Sequence, residues 1–544
     1  MLVNSRRKAR ASAVARPSFV HYKKAMAGLK EDLSRDGAEL VETHTAWVFL
    51  RGDSVLKVKK PVNFGFLDFT SLAARRAACE AECKLNLRLA PDVYRSVVPI
   101  YQTATGRHTL QADGELVDYG VSMQRLNDSC RADVLLAQGG LSKRDVEKLA
   151  VTLAHFHEKM DASSPIAHYG FPRMLLSHLK QNFEQTRDSI HAYVSPEVAQ
   201  EIEERQLGFL AEHENLFRAR ALAGRVRDGH GDLRLEHVYF EGSGPPTIID
   251  CIEFNDSFRY GDVCADIAFL SMDLARLGRV DLSEHLLAAY AREANDFELY
   301  ELVDFYEGYR AFVRGKVASM LAADEEAPFD TRAAAKASAR RHYLLALSSN
   351  RAALVKPCVI AVGGVVGAGK STVSEMLSQQ LSAPVVSSDR TRKWLLGVDA
   401  QSNTSAQAFG GSYSARFSER VYRELLRRGA SVVTSGRPVI LDASFRSREL
   451  RSMVRLLAQS YDVPFYFVEC RASVEHARER LQRRAEGCIS DARADLLDEF
   501  AARFEAVTEL EPIEHVALDT TLSMADTRHA LQRRLPAWPS GLTA

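Results

Sequence analysis

A chain of 544 residues is too long to close around a single hydrophobic core, and length alone predicts about two to four compact regions. Lys plus Arg (71) balance Asp plus Glu (71), so no global field recruits nucleic acid or an acidic membrane, and partners must be recognised at local sites. No apolar run reaches membrane-spanning length, no signal-peptide core opens the chain, and the eight cysteines show neither C-x-x-C nor zinc-ligand spacing, which predicts a cytoplasmic protein with no membrane partner.

Residues 1–17 are rich in Arg and Ala and free of acids, the composition of a solvated basic tail. Two β-rich runs follow, Thr45–Leu50 and Ser54–Val58, around Arg51-Gly52-Asp53; they predict a hairpin whose second strand places Lys57 and Lys59 on one face. A helix is expected over Leu72–Leu89, carrying Glu80 and Glu82, and a strand over Leu116–Ser122 leads to Met123. Ser142-x-x-Asp145 is a capping-box signature opening a helix over Leu141–Met160, with apolar residues at Val146, Leu149, Leu153 and Phe156.

Chemistry concentrates at His230-Gly231-Asp232-Leu233. The strands Val238–Phe240 and Thr247–Ile249 flank the turn Gly242–Pro246, so a hairpin is expected to bring Asp232 and Asp250 to one end of a small sheet. Two carboxylates so placed divide the work of phosphate transfer: one accepts a hydroxyl proton, the other holds Mg2+ on a nucleotide. The arrangement resembles the aminoglycoside phosphotransferase family, which shares the protein-kinase fold, over residues 18–347. The resemblance implies that Asp232 is the catalytic base and Asp250 a metal ligand. It makes Lys57 the strand lysine on the α- and β-phosphates and Glu82 its ion-pair partner, with Lys59 and Glu80 as second choices. It implies further that Met123–Arg125 is a hinge offering backbone hydrogen bonds to adenine, and that Asp262 and Asp266 are structural acids. Two departures stand out. His237 occupies the position of the family's metal-ligating Asn, although imidazole is a poor Mg2+ ligand, and the first hairpin has no Gly-x-Gly loop. A kinase-like lobe that binds without turnover therefore stays open.

Helices over Ile267–Leu277, Leu282–Glu293, Tyr300–Leu321 and Thr331–Leu347 complete an α+β kinase-like half, and residues 348–357 read as a linker. From residue 358 to 544 short apolar strands alternate with helices, the pattern of an α/β domain with a parallel sheet. Val359–Val362 runs into the octet Gly364–Ser371 and then a helix, the strand, glycine loop and helix that give G-x-x-x-x-G-K-[ST] its meaning. Gly364, Gly367, Ala368, Gly369 and Thr372 would turn backbone N–H groups toward phosphates, Lys370 would reach the terminal phosphates, and Ser371 would bind Mg2+.

Further strands are expected at Val385–Ser387, Val439–Leu441 and Phe465–Glu469, and ligands of such sheets sit beyond the strands' carboxyl ends. Those positions hold Asp389, a candidate base for a substrate hydroxyl, Arg392, a clamp for an anionic substrate, and Asp442, a carboxylate for Mg2+ or its waters. Arg480 and Arg484 are candidates to close over transferring phosphates. This half resembles the P-loop small-molecule kinases through Gly364–Ser371, Ser387-Ser388-Asp389-x-x-Arg392, Val439–Phe445 and Ser490-Asp491-Ala492. Together the halves resemble bacterial fusions of an aminoglycoside phosphotransferase with an ATP-binding protein, and the resemblance implies no particular substrate.

The expected function is an ATP- and Mg2+-dependent phosphotransferase with two nucleotide sites, acting on a hydroxyl of a small molecule. A nucleotide-responsive regulator is an alternative of a different class. A polynucleotide 5′-hydroxyl kinase is another, drawing on Arg416, Arg420, Arg423, Arg427 and Arg428 along one helix.

Overall fold

The computed structural model describes residues 28–539, apart from 36, 44, 64, 66, 326, 348–352, 400–413 and 484–496. Two compact units emerge: residues 1–128 with 248–256, and residues 129–247 with 257–544.

The first unit is built on a six-stranded antiparallel sheet, in the order Glu39–Glu42, Ala46–Arg51, Ser54–Lys59, Glu115–Gln124, Tyr94–Gln102, His108–Thr109. The anticipated hairpin forms with Val48 opposite Lys57 and Ala46 opposite Lys59. Alternation along the strand then sends both lysines to one face. The helix Leu72–Asn86 is capped by Ser71, whose hydroxyl accepts the Ala74 N–H at 3.1 Å. Its Cys79 joins Tyr94, Val121 and Met123 in a buried cluster. Two residues apart on that helix, Glu80 pairs with Arg76 in solvent while Glu82 is fully buried. The edge strand Glu39–Glu42 and the strand Tyr94–Gln102 carry no strong alternation and were not anticipated from sequence.

The second unit opens with helices and ends in a parallel sheet. The capping box forms as expected, Ser142 Oγ accepting the Asp145 N–H at 3.3 Å and Asp145 accepting the Ser142 N–H at 3.1 Å. Long helices follow at Val263–Arg276, Val280–Glu293, Val303–Ala323 and Phe329–Leu345. The sheet runs in the order Val385–Ser387, Val439–Asp442, Val359–Gly363, Phe465–Arg471, His515–Asp519, every pairing parallel. Its central strand Val359–Gly363 is buried throughout, which is why it reads as an unbroken apolar run. The last strand was missed because polar His515 and Asp519 bracket only three apolar residues. Among the described residues no helix is long and apolar enough to cross a membrane.

Within this unit the helical region and the sheet domain are joined by buried charge. Arg437, preceding the strand Val439–Asp442, is 1% exposed and pairs with Glu284 at 2.9 Å and Asp304 at 2.8 Å. Arg428 reaches Asn295 at 2.8 Å and Thr391 at 3.1 Å, and Arg292 reaches Glu375 at 2.8 Å. Removing one partner of a buried pair strands the other in low dielectric. Arg437→Ala is expected to lower the stability of the full chain by about 3–5 kcal/mol, read by urea unfolding, because Glu284 keeps its burial and loses its cation.

Candidate functional site

In the first unit a ring of charge surrounds Lys57. Its ammonium lies 2.8 Å from Glu82 Oε1 and 2.5 Å from Asp250 Oδ1. Lys59, 1% exposed, lies 2.6 Å from Glu82 Oε2 and also pairs with Glu253. Burial disfavours the charged form of Lys57, yet Asp250 and Glu82 hold its pKa well above the usual value. Glu82 shows the same balance with opposite sign: burial raises it, and Lys57 with Lys59 brings it below the ordinary range. Asp250 adopts a left-handed backbone, φ 67°, a conformation costly for a residue with a Cβ. It is held there from both sides: its N–H donates to the Tyr94 hydroxyl at 3.2 Å, and the next N–H, of Cys251, donates to Asn86 Oδ1 at 2.9 Å. Asn86 in turn donates to the Glu82 carbonyl at 2.9 Å, so one helix aims both Glu82 and Asp250. Met123 lies inside the sheet, opposite Val55 and Tyr94, and the N–H groups of Gln124 and Arg125 already donate to Val93 and Asp53 at 2.8 Å.

The short strands Val238–Tyr239 and Thr247–Ile248 pair as the expected hairpin, and the unit boundary falls within it, leaving Asp250 in the first unit and Asp232 in the second. The loop bearing Asp232 rests on a buried acid: Asp266 accepts the N–H groups of His230 at 2.7 Å and Gly231 at 3.0 Å. Burial raises the Asp266 pKa, and its bonds with His157 and nearby Arg310 more than reverse that. Asp232 receives Arg234 Nε at 3.0 Å. His237 uses both ring nitrogens within the loop, Nδ1 at 2.8 Å from the Asp232 carbonyl and Nε2 at 2.9 Å from Arg234 Nη2. A metal on His237 would have to break one of these.

At the parallel sheet the octet forms a tight glycine turn into a helix. Gly364 and Gly367 have φ of 141° and 79°, and a Cβ on them would come within 2.5 Å of the Cys470 carbonyl and 2.7 Å of the Ala477 carbonyl. Lys370 and Ser371 begin the helix Lys370–Leu381, and the lysine ammonium folds back to the Val365 carbonyl at 3.0 Å. A cavity of about 700 Å3 collects Gly367, Gly369, Lys370, Ser371, Thr372, Asp389, Arg392, Asp442 and Arg480, together with Tyr422, Ser444 and Arg446. Gly364 and Ala368 are not among its lining residues, and their N–H groups, expected to face phosphates, donate instead to the Ser444 and Val365 carbonyls at 3.1 and 3.2 Å. Asp442 is pushed up to about 6 by burial and by Asp389, against Lys370 and a hydrogen bond with Ser371, which puts these four groups within electrostatic reach of one another. The oxygen donors Ser371 and Asp442 beside a lysine suit a hard cation carried on phosphate oxygens. Arg484 and Ser490-Asp491-Ala492 lie outside the described residues.

Sequence reasoning overlooked three contributors. Thr520, just past the strand His515–Asp519, has its hydroxyl 2.8 Å from the Ala368 carbonyl and receives Arg480 Nη1 at 3.3 Å, so it pins both the loop and the arginine. The strand-end rule would have found it had that strand been recognised. The Tyr422 hydroxyl accepts the Phe445 N–H at 3.3 Å and lies 3.0 Å from Ser444 Oγ, and nothing in the sequence links those positions. Arg234 stood beside Asp232 in plain view without a motif to single it out. As for the arginine stripe, Arg423 pairs with Glu419, Arg427 with Glu424 and Glu298, and Arg428 with Glu424, while Arg416 and Arg420 are exposed.

Fold and site together define a kinase-like lobe joined to a P-loop kinase-like domain. The phosphotransferase enzyme family matches residues 127–306, and an AAA domain family matches residues 359–507. Uncharacterized proteins of Mycobacterium bovis and Mycobacterium tuberculosis are 33% identical over 462 residues, 85% of this chain and 89% of theirs. The chain belongs to the family of those mycobacterial proteins, and in this chain a phosphotransferase enzyme family region is followed by an AAA domain. Among solved structures, a gluconokinase of Sinorhizobium meliloti is 23% identical over 32% of this chain and 91% of its own, with a TM-score of 0.25. A choline/ethanolamine kinase family protein of Mesorhizobium loti is 15% identical over 60% of this chain and 98% of its own, with a TM-score of 0.28. Neither likeness carries an argument about substrate.

Thr520→Val keeps shape and deletes the hydroxyl that meets Ala368. It is expected to cost about 1–3 kcal/mol of stability and to weaken ATP binding, checked by urea unfolding and calorimetric titration of the full chain.

Proposed function

We propose that the protein is an ATP-dependent phosphotransferase whose C-terminal site moves the γ-phosphate of ATP to a hydroxyl of a small molecule. The observation that carries this reading is the convergence of Lys370, Ser371, Asp389 and Asp442 on one cavity with room for nucleotide phosphates and a small acceptor. Transfer of this kind is mainly positioning and neutralisation of charge spread over phosphate oxygens. Backbone N–H groups of the loop and the N-terminus of the helix Lys370–Leu381 receive the phosphates, Lys370 leaves the Val365 carbonyl for them, and Arg480, fixed by Thr520, adds a second cation. Ser371 and Asp442 would hold Mg2+, which supplies further neutralisation when bound. Asp389 takes the acceptor's hydroxyl proton. Residues 358–544 form this catalytic domain, with 18–347 as the kinase-like domain and 348–357 as the linker between them.

The ring at Lys57 favours a second nucleotide site in the kinase-like half. Within the first unit Glu82 orients Lys57 for phosphates and Asp250 would hold Mg2+. The role proposed for Asp232 is that of base. A binding protein without turnover would keep the same ring, so the two readings separate only by reactivity.

Lys370→Ala is expected to lower turnover at the C-terminal site by about 100- to 1000-fold with an unchanged melting temperature. The assay is transfer from γ-labelled ATP to a metabolite pool. Tight ATP binding by the wild-type chain with no labelled product from any acceptor would replace the enzyme reading with that of a nucleotide-responsive regulator. In the kinase-like half, Asp232→Asn is expected to remove transfer by about 100-fold or more while sparing nucleotide binding, because only the proton-accepting carboxylate is lost.

A further inference from the structure

Three arginines come from the loop that carries Asp232, from the helix Val263–Arg276 packed against that loop, and from the helix Val303–Ala323 packed against Val263–Arg276. Arg234 comes from the loop and touches Asp232 Oδ2 at 3.0 Å, Glu236 and His237. Arg276 ends the helix Val263–Arg276 and makes one long contact, 3.4 Å, with Asp273, while its Nε is buried with no acceptor among the described residues. Arg314 lies on the helix Val303–Ala323, half-buried, and no described carboxylate or carbonyl bonds it. Asp273 ties the group to the loop by accepting the Leu235 N–H at 3.4 Å.

Asp232 and Glu236 pair with Arg234, and Asp273 with one end of Arg276, but Arg276 Nε and the Arg314 guanidinium are bonded by none of these carboxylates. Burial pushes Arg314 down to about 10, with Arg234 and Arg276 adding to the shift and Asp232 and Asp273 opposing it. Burial also pushes nearby His342 down to about 4, against its bond with the Ser338 carbonyl and together with Arg314, Arg276 and Arg341. Burial raises the pKa of Asp273, against the opposing pull of Arg276, Arg234 and Arg314. Buried cations are ordinarily paired, as Arg220 and Arg437 are elsewhere in this unit. Here donors remain unspent at the one place where an acceptor would meet the base.

We propose that Arg234, Arg276 and Arg314 form an anion-binding subsite beside Asp232, and that the acceptor of the kinase-like half is a hydroxyl compound bearing a phosphate, sulfate or carboxylate group. The assignment of the anion to an acceptor rests on the reading of Asp232 as base; the anion site itself does not. Guanidinium forks match tetrahedral and planar oxyanions, and each added charge-assisted bond is stronger than a neutral one. A polycationic amine such as an aminoglycoside would meet three like charges at this position, so the resemblance to aminoglycoside phosphotransferases does not extend to that substrate class. The anion could instead be the transferring phosphoryl group of the nucleotide.

The test is arginine modification of the full chain by phenylglyoxal, read peptide by peptide at Arg276 and Arg314. Orthophosphate and glycerol 3-phosphate should slow modification of both arginines, and kanamycin should not. Arg314→Gln should weaken the protection of Arg276 by orthophosphate about tenfold. Protection by a non-hydrolysable ATP analogue but not by ADP, orthophosphate or glycerol 3-phosphate would overturn the acceptor assignment in favour of the transferring phosphoryl group. No protection by any anion, or equal protection by kanamycin, would overturn the subsite altogether. Transfer assays on the wild-type chain, set beside the protection data, separate the anion site from the reading of Asp232 as base. Protection retained while no wild-type transfer is found for any acceptor removes the catalytic reading and keeps the anion site. Transfer to a neutral or cationic acceptor, without protection by anions, does the reverse.

Discussion

The second unit depends on one buried guanidinium. Arg220, fully enclosed, is gripped by Asp262 at 2.7 and 2.8 Å and by Asp296 at 2.7 and 2.9 Å. Asp262 is also the N-cap of the helix Val263–Arg276, accepting the Cys264 N–H at 2.9 Å, so the ion cluster fixes where that helix starts. Four residues on, Asp266 holds the backbone of His230 and Gly231, and near the far end Asp273 holds that of Leu235. The loop bearing Asp232 is thus suspended from one helix at two points. The next helix, Val280–Glu293, supplies Glu284 to Arg437 and passes the same rigidity to the parallel sheet.

The two candidate sites share a way of holding strained backbone. Asp250 and Phe445 both adopt left-handed φ, 67° and 42°, although neither is glycine. In each case a tyrosine hydroxyl accepts the strained residue's N–H: Tyr94 at 3.2 Å for Asp250, Tyr422 at 3.3 Å for Phe445. Each tyrosine comes from a different element, so tertiary packing enforces a conformation that local preference opposes. Asp250 gains an aim toward Lys57, and Phe445 turns Ser444 and Arg446 onto the wall of the nucleotide cavity.

Charge is distributed unevenly between structure and site. Arg220, Arg437 and Arg451 are buried with carboxylates in bonding range, whereas Arg276 and Arg314 are not fully answered. Stability alone would favour pairing or replacing such cations. The proposed anion subsite beside the loop that carries Asp232 would answer the donors they leave over.

The sequence by itself determined what is local. The octet Gly364–Ser371 carries its strand, turn and helix within a score or so of residues, and the capping box at Ser142 and the hairpin lysines are fixed by spacing alone. It also placed Asp389 and Asp442 at strand ends, because a parallel sheet has only one end at which ligands bind. What the tertiary structure decided is which side chains meet. Glu80 and Glu82 are equally good helix residues on paper, and only packing buried Glu82 between Lys57 and Lys59 and left Glu80 to Arg76. Thr520 reaches Ala368 across 152 residues, Arg437 reaches Glu284 across 153, and no periodicity records such distances. Long-range pairs are chosen by the shape into which all the helices and strands can jointly close, and that shape is a property of the whole chain rather than of any stretch of it.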